Sequence, residues 1–133
     1  MCGGALSALL LAACASLDAR YPLAEGDCAP RLQERVYFGL SDDKGPIAET
    51  AWQAFVERVV TPRFPAGFTV IVAGGQWRDR DGHIGKESSR IVEIVHDGTA
   101  EHSRLVAEIA AAYKRDFRQE AVLVVRTPVT ACF

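Results

Sequence analysis

A corner rich in proline and glycine, residues 61–67, limits most strongly how this chain can fold. It contains Pro62, Pro65 and Gly67, so neither a helix nor a central strand can run through it. The apolar residues before it have the spacing i, i+3, i+4, i+7 and i+8, which predicts one face of a helix: Trp52, Phe55, Val56, Val59 and Val60. The β-branched run that follows, 68–77, predicts a strand.

Three other strands and a second helix complete the predicted fold. Strands are predicted over 35–40, 84–95 and 121–133. Residues 97–99 cap a helix with one apolar side: Leu105, Val106, Ile109, Ala112, Tyr113 and Phe117. The order βαββαβ predicts an α+β, ferredoxin-like sandwich, with two helices on one face of a four-stranded antiparallel sheet of strand order 4-1-3-2. Pro128 fits this order, because the fourth strand then lies at an edge.

The length and charge of the chain exclude several classes of protein. Its 133 residues suit a single folded domain, which we place at 34–133. The 15 basic and 17 acidic residues give a formal charge of −2 and are spread along the chain. Because there is no basic stripe, we expect no nucleic-acid partner.

The N-terminal segment has the pattern of an export signal. Residues 5–14 carry no charge, end in Leu-Ala-Ala-Cys and are too short to span a bilayer. They resemble the lipobox of bacterial lipoproteins, which implies a signal over 1–13, a lipid on Cys14 and a tether over 14–33. No Lys or Arg follows Met1, so a start site further upstream and a merely apolar N-terminus both stay open. We expect a protein that is lipid-anchored in the bacterial cell envelope and faces the periplasm, at the outer membrane rather than the inner.

An ordered set of motifs carries a resemblance to a known family. Thr-Pro-Arg-Phe-Pro at 61–65 is followed by Gly-Gln-Trp at 75–77, Glu-Ser at 87–88, Tyr113 and Gln119. This set resembles the bacterial domain-of-unknown-function family 3574, known mainly by its TPRF motif, and the resemblance covers about 35–133. It implies a fold and an envelope location, and it implies no chemistry.

Cys28 and Cys132 are predicted to form a disulfide. In the predicted sheet, the start of the first strand and the end of the fourth are antiparallel neighbours at the same end. An exported domain also folds in an oxidising compartment, where such a bond is stable.

No metal, cofactor or catalytic nucleophile is expected. The loop 79–84 resembles the middle of an EF-hand, but alignment on its glycine puts Trp77 and Ser88 at positions that require acidic ligands. The three histidines lack metal-ligand spacing: His83, His96 and His102. The sequence contains neither a nucleophile elbow nor a phosphate-binding loop.

Candidate ligand-binding residues cluster where the central hairpin turns. Centring the hairpin on 81–82 pairs Gln76 with Glu87 and places Arg78 diagonal to Glu87. The loop 41–46 and the residues after the second helix are expected at the same end of the sheet. The candidate ligand-binding residues are Trp77, Arg78, Glu87 and Gln119. The alternative interpretation is a cross-strand ion pair beside an amphipathic cap.

The functional hypotheses depend on which face of the sheet stays open. Two helices cover one face only, so the open face can pair with a second copy in a homodimer. We favour a non-enzymatic binding or accessory module; the alternative is a small cofactor-free enzyme of the dimeric α+β barrel type. Arg63 is predicted to brace the corner at the far end of the second strand from Trp77.

Overall fold

The computed structural model describes residues 26–132, which form one sheet, two helices and a small separate hairpin. The main sheet contains β1 (Cys28–Gly39), β4 (Thr69–Arg78), β5 (Ile84–His96) and β6 (Leu123–Cys132), and the small hairpin contains β2 (Ser41–Asp42) and β3 (Gly45–Pro46). The helices are α1 (Glu49–Phe55), which continues as a π-helical turn (Val56–Val60), and α2 (Ala100–Asp116). The predicted signal, Cys14 and the first part of the tether lie outside the described residues.

The α+β fold, with two helices and a four-stranded antiparallel sheet, is confirmed. The sheet order is β4-β5-β1-β6, and its numbering differs from the predicted 4-1-3-2 because the sequence analysis missed β2 and β3. When only the four long strands are numbered, β1, β4, β5 and β6 are the first to the fourth. Their order across the sheet, read from the β6 edge, is then fourth, first, third, second. Pro128 in β6 is therefore at an edge of the sheet, where its missing N–H is tolerated.

The first strand starts much earlier than predicted. β1 begins at Cys28, and its first residues pair with β6 from Cys132 backwards, so assigning 28–33 to a tether was wrong. Backbone pairing rather than apolar alternation holds this part in the sheet, and the apolar pattern that marks 35–40 therefore did not reveal it. Cys28 and Cys132 are direct partners across the two strands, and a disulfide joins them as predicted.

The core lies between the helices and the sheet face formed by even-numbered residues of β1 and β5. Its twelve buried apolar residues are Val36, Phe38, Trp52, Phe55, Val60, Phe64, Val92, Ile94, Val106, Ile109, Ala112 and Tyr113. At the centre, the Tyr113 ring packs edge-on against Phe38 and Phe55, with ring centroids 4.6 and 5.0 Å apart. Odd-numbered residues form the open face, where five large apolar side chains stay exposed: Ile71, Trp77, Val95, Leu123 and Val125.

The two strands of the central hairpin pair in a register that is shifted by one residue from the prediction. Gly82 N–H donates to the carbonyl of Asp79, and Asp79 N–H donates to the carbonyl of His83. The loop thus has three residues, with Gly82 at φ 88°, instead of a two-residue turn at 81–82. As a result Glu87 pairs with Gly75 rather than with Gln76, and every side chain of β4 exchanges its predicted partner.

Candidate functional site

A groove lies on the open face, at the hairpin end of the sheet. This hairpin groove has a volume of about 580 Å³ and is open on one side. Three segments meet around it: the loop after β1, the turn between β4 and β5, and the residues that follow α2. These are the segments that the sequence analysis placed together. The side chains used below are Tyr37, Ser41, Trp77, Glu87, Arg118 and Gln119.

Glu87 is the carboxylate most closely built into the wall of the groove. Its Oε2 accepts a hydrogen bond from the hydroxyl of Ser41 at 3.0 Å. Both carboxylate oxygens lie directly over the backbone of Gly39, where a Cβ would approach them to 2.7 and 2.9 Å. A side chain at position 39 would therefore displace the carboxylate of Glu87, and the reason for a glycine here is space, since its φ is not in the left-handed region. Gly75, opposite Glu87 in β4, likewise leaves the space above the sheet free.

Tyr113, in the core, supports the wall of the groove from the helix side. Its hydroxyl donates to the carbonyl of Gly39 at 2.7 Å, so the helix layer holds the backbone beneath Glu87 in place. Burial raises the pKa of Tyr113 well above its usual value, and the negative charge of Glu87 raises it further. Tyr113 thus stays protonated at neutral pH and acts as a hydrogen-bond donor.

The end of α2 braces the small hairpin of β2 and β3. Arg118 donates to Asp43 at 2.9 Å and also contacts Asp42, while the Gln119 amide donates to the carbonyl of Ser41 at 2.8 Å. Arg118 has φ 50°, and Gln119 N–H donates to the carbonyl of Lys114, which is the Schellman end of a helix. Glycine is usual at that left-handed position, so the backbone carries strain that the contacts of Arg118 offset.

The shifted register separates two of the predicted site residues. Trp77 lines the groove with its side chain about half exposed, and it lies diagonal to Glu87 on the open face. Arg78 pairs with Ile84 and is not among the residues that line the groove, so its predicted place beside Glu87 was wrong. A side chain moves to the other face when the pairing slips by one residue.

Arg63 lies at the opposite end of β4, as predicted. One guanidinium nitrogen donates to the carbonyl of Val59 at 2.9 Å, and Nε lies 3.3 Å from Glu108. Arg63 therefore caps the end of the first helical segment and ties it to α2. Ten residues of β4 at about 3.3 Å each separate this corner from the groove.

Histidine side chains meet acidic groups at two places that the spacing did not predict. Ligand atoms of His96, Asp97 and His102 lie within 4.8 Å of one another, as do those of Asp79, Asp81 and His83 at the hairpin tip. In the first cluster, Asp97 Oδ1 and His102 Nδ1 are 2.6 Å apart, and Gly98 N–H donates to His96 Nδ1. The hydrogen bond with His102, followed by that from the Thr99 amide, lowers the pKa of Asp97. This is a helix cap, and the positive end of α2 disfavours a cation there.

Sequence reasoning missed Gly39 as part of the groove and Tyr113 as the residue that holds the backbone of Gly39. Tyr113 was assigned to the core by its spacing, and this assignment is confirmed by its full burial. Its hydroxyl contact spans 74 residues of sequence, and no local pattern reports such a contact. A signal for Gly39 did exist, since a glycine directly before a strand end often marks a close approach of another group.

Comparison with protein families gives one match. The family described as "Protein of unknown function (DUF3574)" matches residues 33–133, which is most of the chain. No curated protein matches the sequence. Among the described residues, no helix is both long and apolar enough to cross a membrane.

Solved structures of similar fold include an enzyme. A phage SAM lyase in complex with S-methyl-5'-thioadenosine has a TM-score of 0.60 and 15% identity, covering 77% of this chain and 90% of its own. CutA1 from Oryza sativa has a TM-score of 0.50 and 10% identity, covering 78% and 84%. At these identities the likeness concerns the fold alone.

Proposed function

The chain belongs to the DUF3574 family of proteins of unknown function, and from this premise we propose that it is a small-molecule binding module of the bacterial cell envelope. The ligand occupies the hairpin groove. The observation that carries the proposal is the groove itself, in which an indole and a half-buried carboxylate face the same open space. Binding sites for small molecules combine apolar walls with a few fixed polar groups in this way.

The size and the rigidity of the groove support this proposal. About 580 Å³ is within the range of pockets that hold small ligands, roughly 300–1,000 Å³. Its polar wall is preformed, because Arg118 and Gln119 fix the loop that carries Ser41, and Tyr113 fixes the backbone of Gly39. A preformed wall lowers the entropic cost of binding a ligand.

The test is to purify the full-length protein from its own envelope and identify bound molecules by native mass spectrometry. We expect one small molecule to accompany the wild type and to be lost from Trp77→Ala, which removes the aromatic wall. Val72→Ala is the matched control, since Val72 is an exposed apolar residue of the same strand on the other face. Equal retention in both variants, at unchanged melting temperature, would place the ligand elsewhere.

Membrane attachment through a lipid on Cys14 is part of the same proposal. Its support is the lipobox and the charge-free run before it. Radiolabelled fatty acid is expected to enter the wild type and not Cys14→Ser. Labelling of the serine variant would show that Cys14 does not carry the lipid. The proposal would then lose both the membrane anchor and the reason to place the domain at the outer rather than the inner membrane.

A second candidate is a small cofactor-free enzyme that dimerises through the open sheet face. Two observations favour it: Tyr37 and Glu87 line the same groove, and a phage enzyme shares the fold. The exposed Ile71, Leu123 and Val125 offer apolar area for a homodimer. Analytical ultracentrifugation of the wild type and of Leu123→Asp tests for the dimer. We expect the wild type to be dimeric and the charged variant to be monomeric.

A further inference from the structure

Building on the proposed function, we infer that the ligand of the hairpin groove carries a positive charge that pairs with Glu87, beside a flat apolar part that lies against Trp77. Both side chains project from the open face, in diagonal positions on neighbouring strands. A ligand that contacts the indole therefore has the carboxylate within reach.

The partners of Glu87 within the protein leave its charge uncompensated. Its carboxylate is partly buried and accepts one hydrogen bond, from the neutral hydroxyl of Ser41. Among residues 26–132, none of the ion pairs with nitrogen and oxygen within 4.0 Å includes Glu87. A carboxylate taken partly out of water gains when a cation approaches it. Both oxygens lie over the backbone of Gly39 at the groove wall, where the missing side chain of the glycine leaves room for them.

The remaining charges around the groove favour the same sign of ligand. Five carboxylates line it: Asp42, Asp43, Asp79, Glu87 and Glu120. Arg118 is paired with Asp42 and Asp43, and Glu120 is paired with Arg80, so these groups partly offset one another. The other lining cation is Lys86, which precedes Glu87 in β5, so its side chain leaves the strand from the opposite face and an excess of carboxylates remains. The groove therefore attracts cations over anions.

Three probes of the same shape and different charge test the inference: benzamidine, a cation; benzamide, which is neutral; and benzoate, an anion. Each is titrated into the isotope-labelled full-length protein, and the indole N–H signals are followed by NMR. The chain has two tryptophans, so the buried Trp52 serves as an internal reference for the exposed Trp77. We expect benzamidine to bind at least about tenfold more tightly than benzamide, with benzoate weakest.

Two variants assign the preference to Glu87. In Glu87→Gln, benzamidine and benzamide should bind within about twofold of each other, because the charge is lost at nearly constant shape. In Gly39→Ala, the new Cβ displaces the carboxylate, and the preference should fall several-fold while Glu87 remains. Equal binding of benzamidine and benzamide to the wild type would overturn the inference and leave the groove as a binding site. If none of the probes shifted the Trp77 signal, the proposed function would fail together with the inference.

Discussion

Two glutamates on opposite faces of the sheet differ in how far other side chains compensate their charge. Glu34, on the helix face, is fully buried; its Oε1 accepts from Ser103 at 3.2 Å and from Arg126 at 3.0 Å, and His96 Nε2 lies 3.5 Å away. Glu87, on the open face, is half buried and has a single neutral partner.

The difference separates a structural charge from one that is available to a ligand. A buried carboxylate without a cation is destabilising, so the pair with Arg126 stabilises the folded state in which Glu34 is buried. Glu87 tolerates the lack of a cation because water still reaches the groove. The Glu34 side of the sheet should therefore respond to mutation through stability, and the Glu87 side through binding.

The largest expected effect concerns the disulfide between β1, the strand that carries Glu34, and β6. Cys28 and Cys132 are 104 residues apart, and such a bond stabilises by about 2–5 kcal/mol, chiefly by restricting the unfolded chain. The double variant Cys28→Ser/Cys132→Ser should lose that amount of unfolding free energy in urea. Peptide mapping of the oxidised wild type provides the check: alkylation of either cysteine before reduction would contradict the pairing.

Removing the cation beside Glu34 should have the next largest effect. Arg126→Met leaves the buried carboxylate without its charged partner, and the expected loss is about 1–3 kcal/mol because the arginine is itself half exposed. Arg35→Met is the matched control on the open face. Its pair with Glu93 is exposed on the arginine side, so solvent screens the pair and it should contribute less than the pair of Arg126 with Glu34. Equal losses in the two variants would remove the distinction between the two kinds of charge.

Arg63→Ala tests the end of the sheet away from the groove. The variant loses a contact with a helix-end carbonyl and with Glu108, so the unfolding free energy should fall by about 1 kcal/mol. The affinity for benzamidine should stay unchanged, because β4 separates the two sites. Loss of benzamidine binding at an unchanged melting temperature would mean that the ligand site lies at the Arg63 end of the sheet and not in the hairpin groove.

The smallest stability effect is expected for Glu87→Gln, at less than about 0.5 kcal/mol at neutral pH, because the amide oxygen of glutamine can still accept the hydrogen bond from Ser41. The same variant should lower the pKa of Tyr113, because the charge of Glu87 helps to raise it. A raised tyrosine pKa means that stability is intact below the unfolded value, about 10, and is lost as the pH rises beyond it. Ultraviolet titration of the tyrosines in the wild type and in Glu87→Gln measures this change, and Tyr113→Phe identifies the contribution of Tyr113. The same titration curve in both proteins would contradict the proximity of Glu87 to Tyr113.

The sequence predicted the elements well because each has a local cause. Pro62, Pro65 and Gly67 end a helix and begin a strand wherever they occur, and the apolar stripe of α2 with its cap at Thr99 appears as predicted. The disulfide followed from the topology alone, since antiparallel neighbours must meet at the strand ends. The three segments around the groove were also predicted to converge, for the same topological reason.

What the sequence by itself determined is thus the order of the elements, the face of each that is apolar, and the end of the sheet at which a site could form. Only the tertiary structure decided the hairpin register, because the residues around Gly82 are compatible with a two-residue and with a three-residue turn, and the pairing along the whole strands selects one of them. That choice placed Gly75 opposite Glu87 and moved Arg78 away from it, while the pairing of β5 with β1 placed Glu87 over Gly39. The free charge of Glu87 and the compensated charge of Glu34 both arise from contacts between residues distant in sequence, and local pattern carries no information about such contacts.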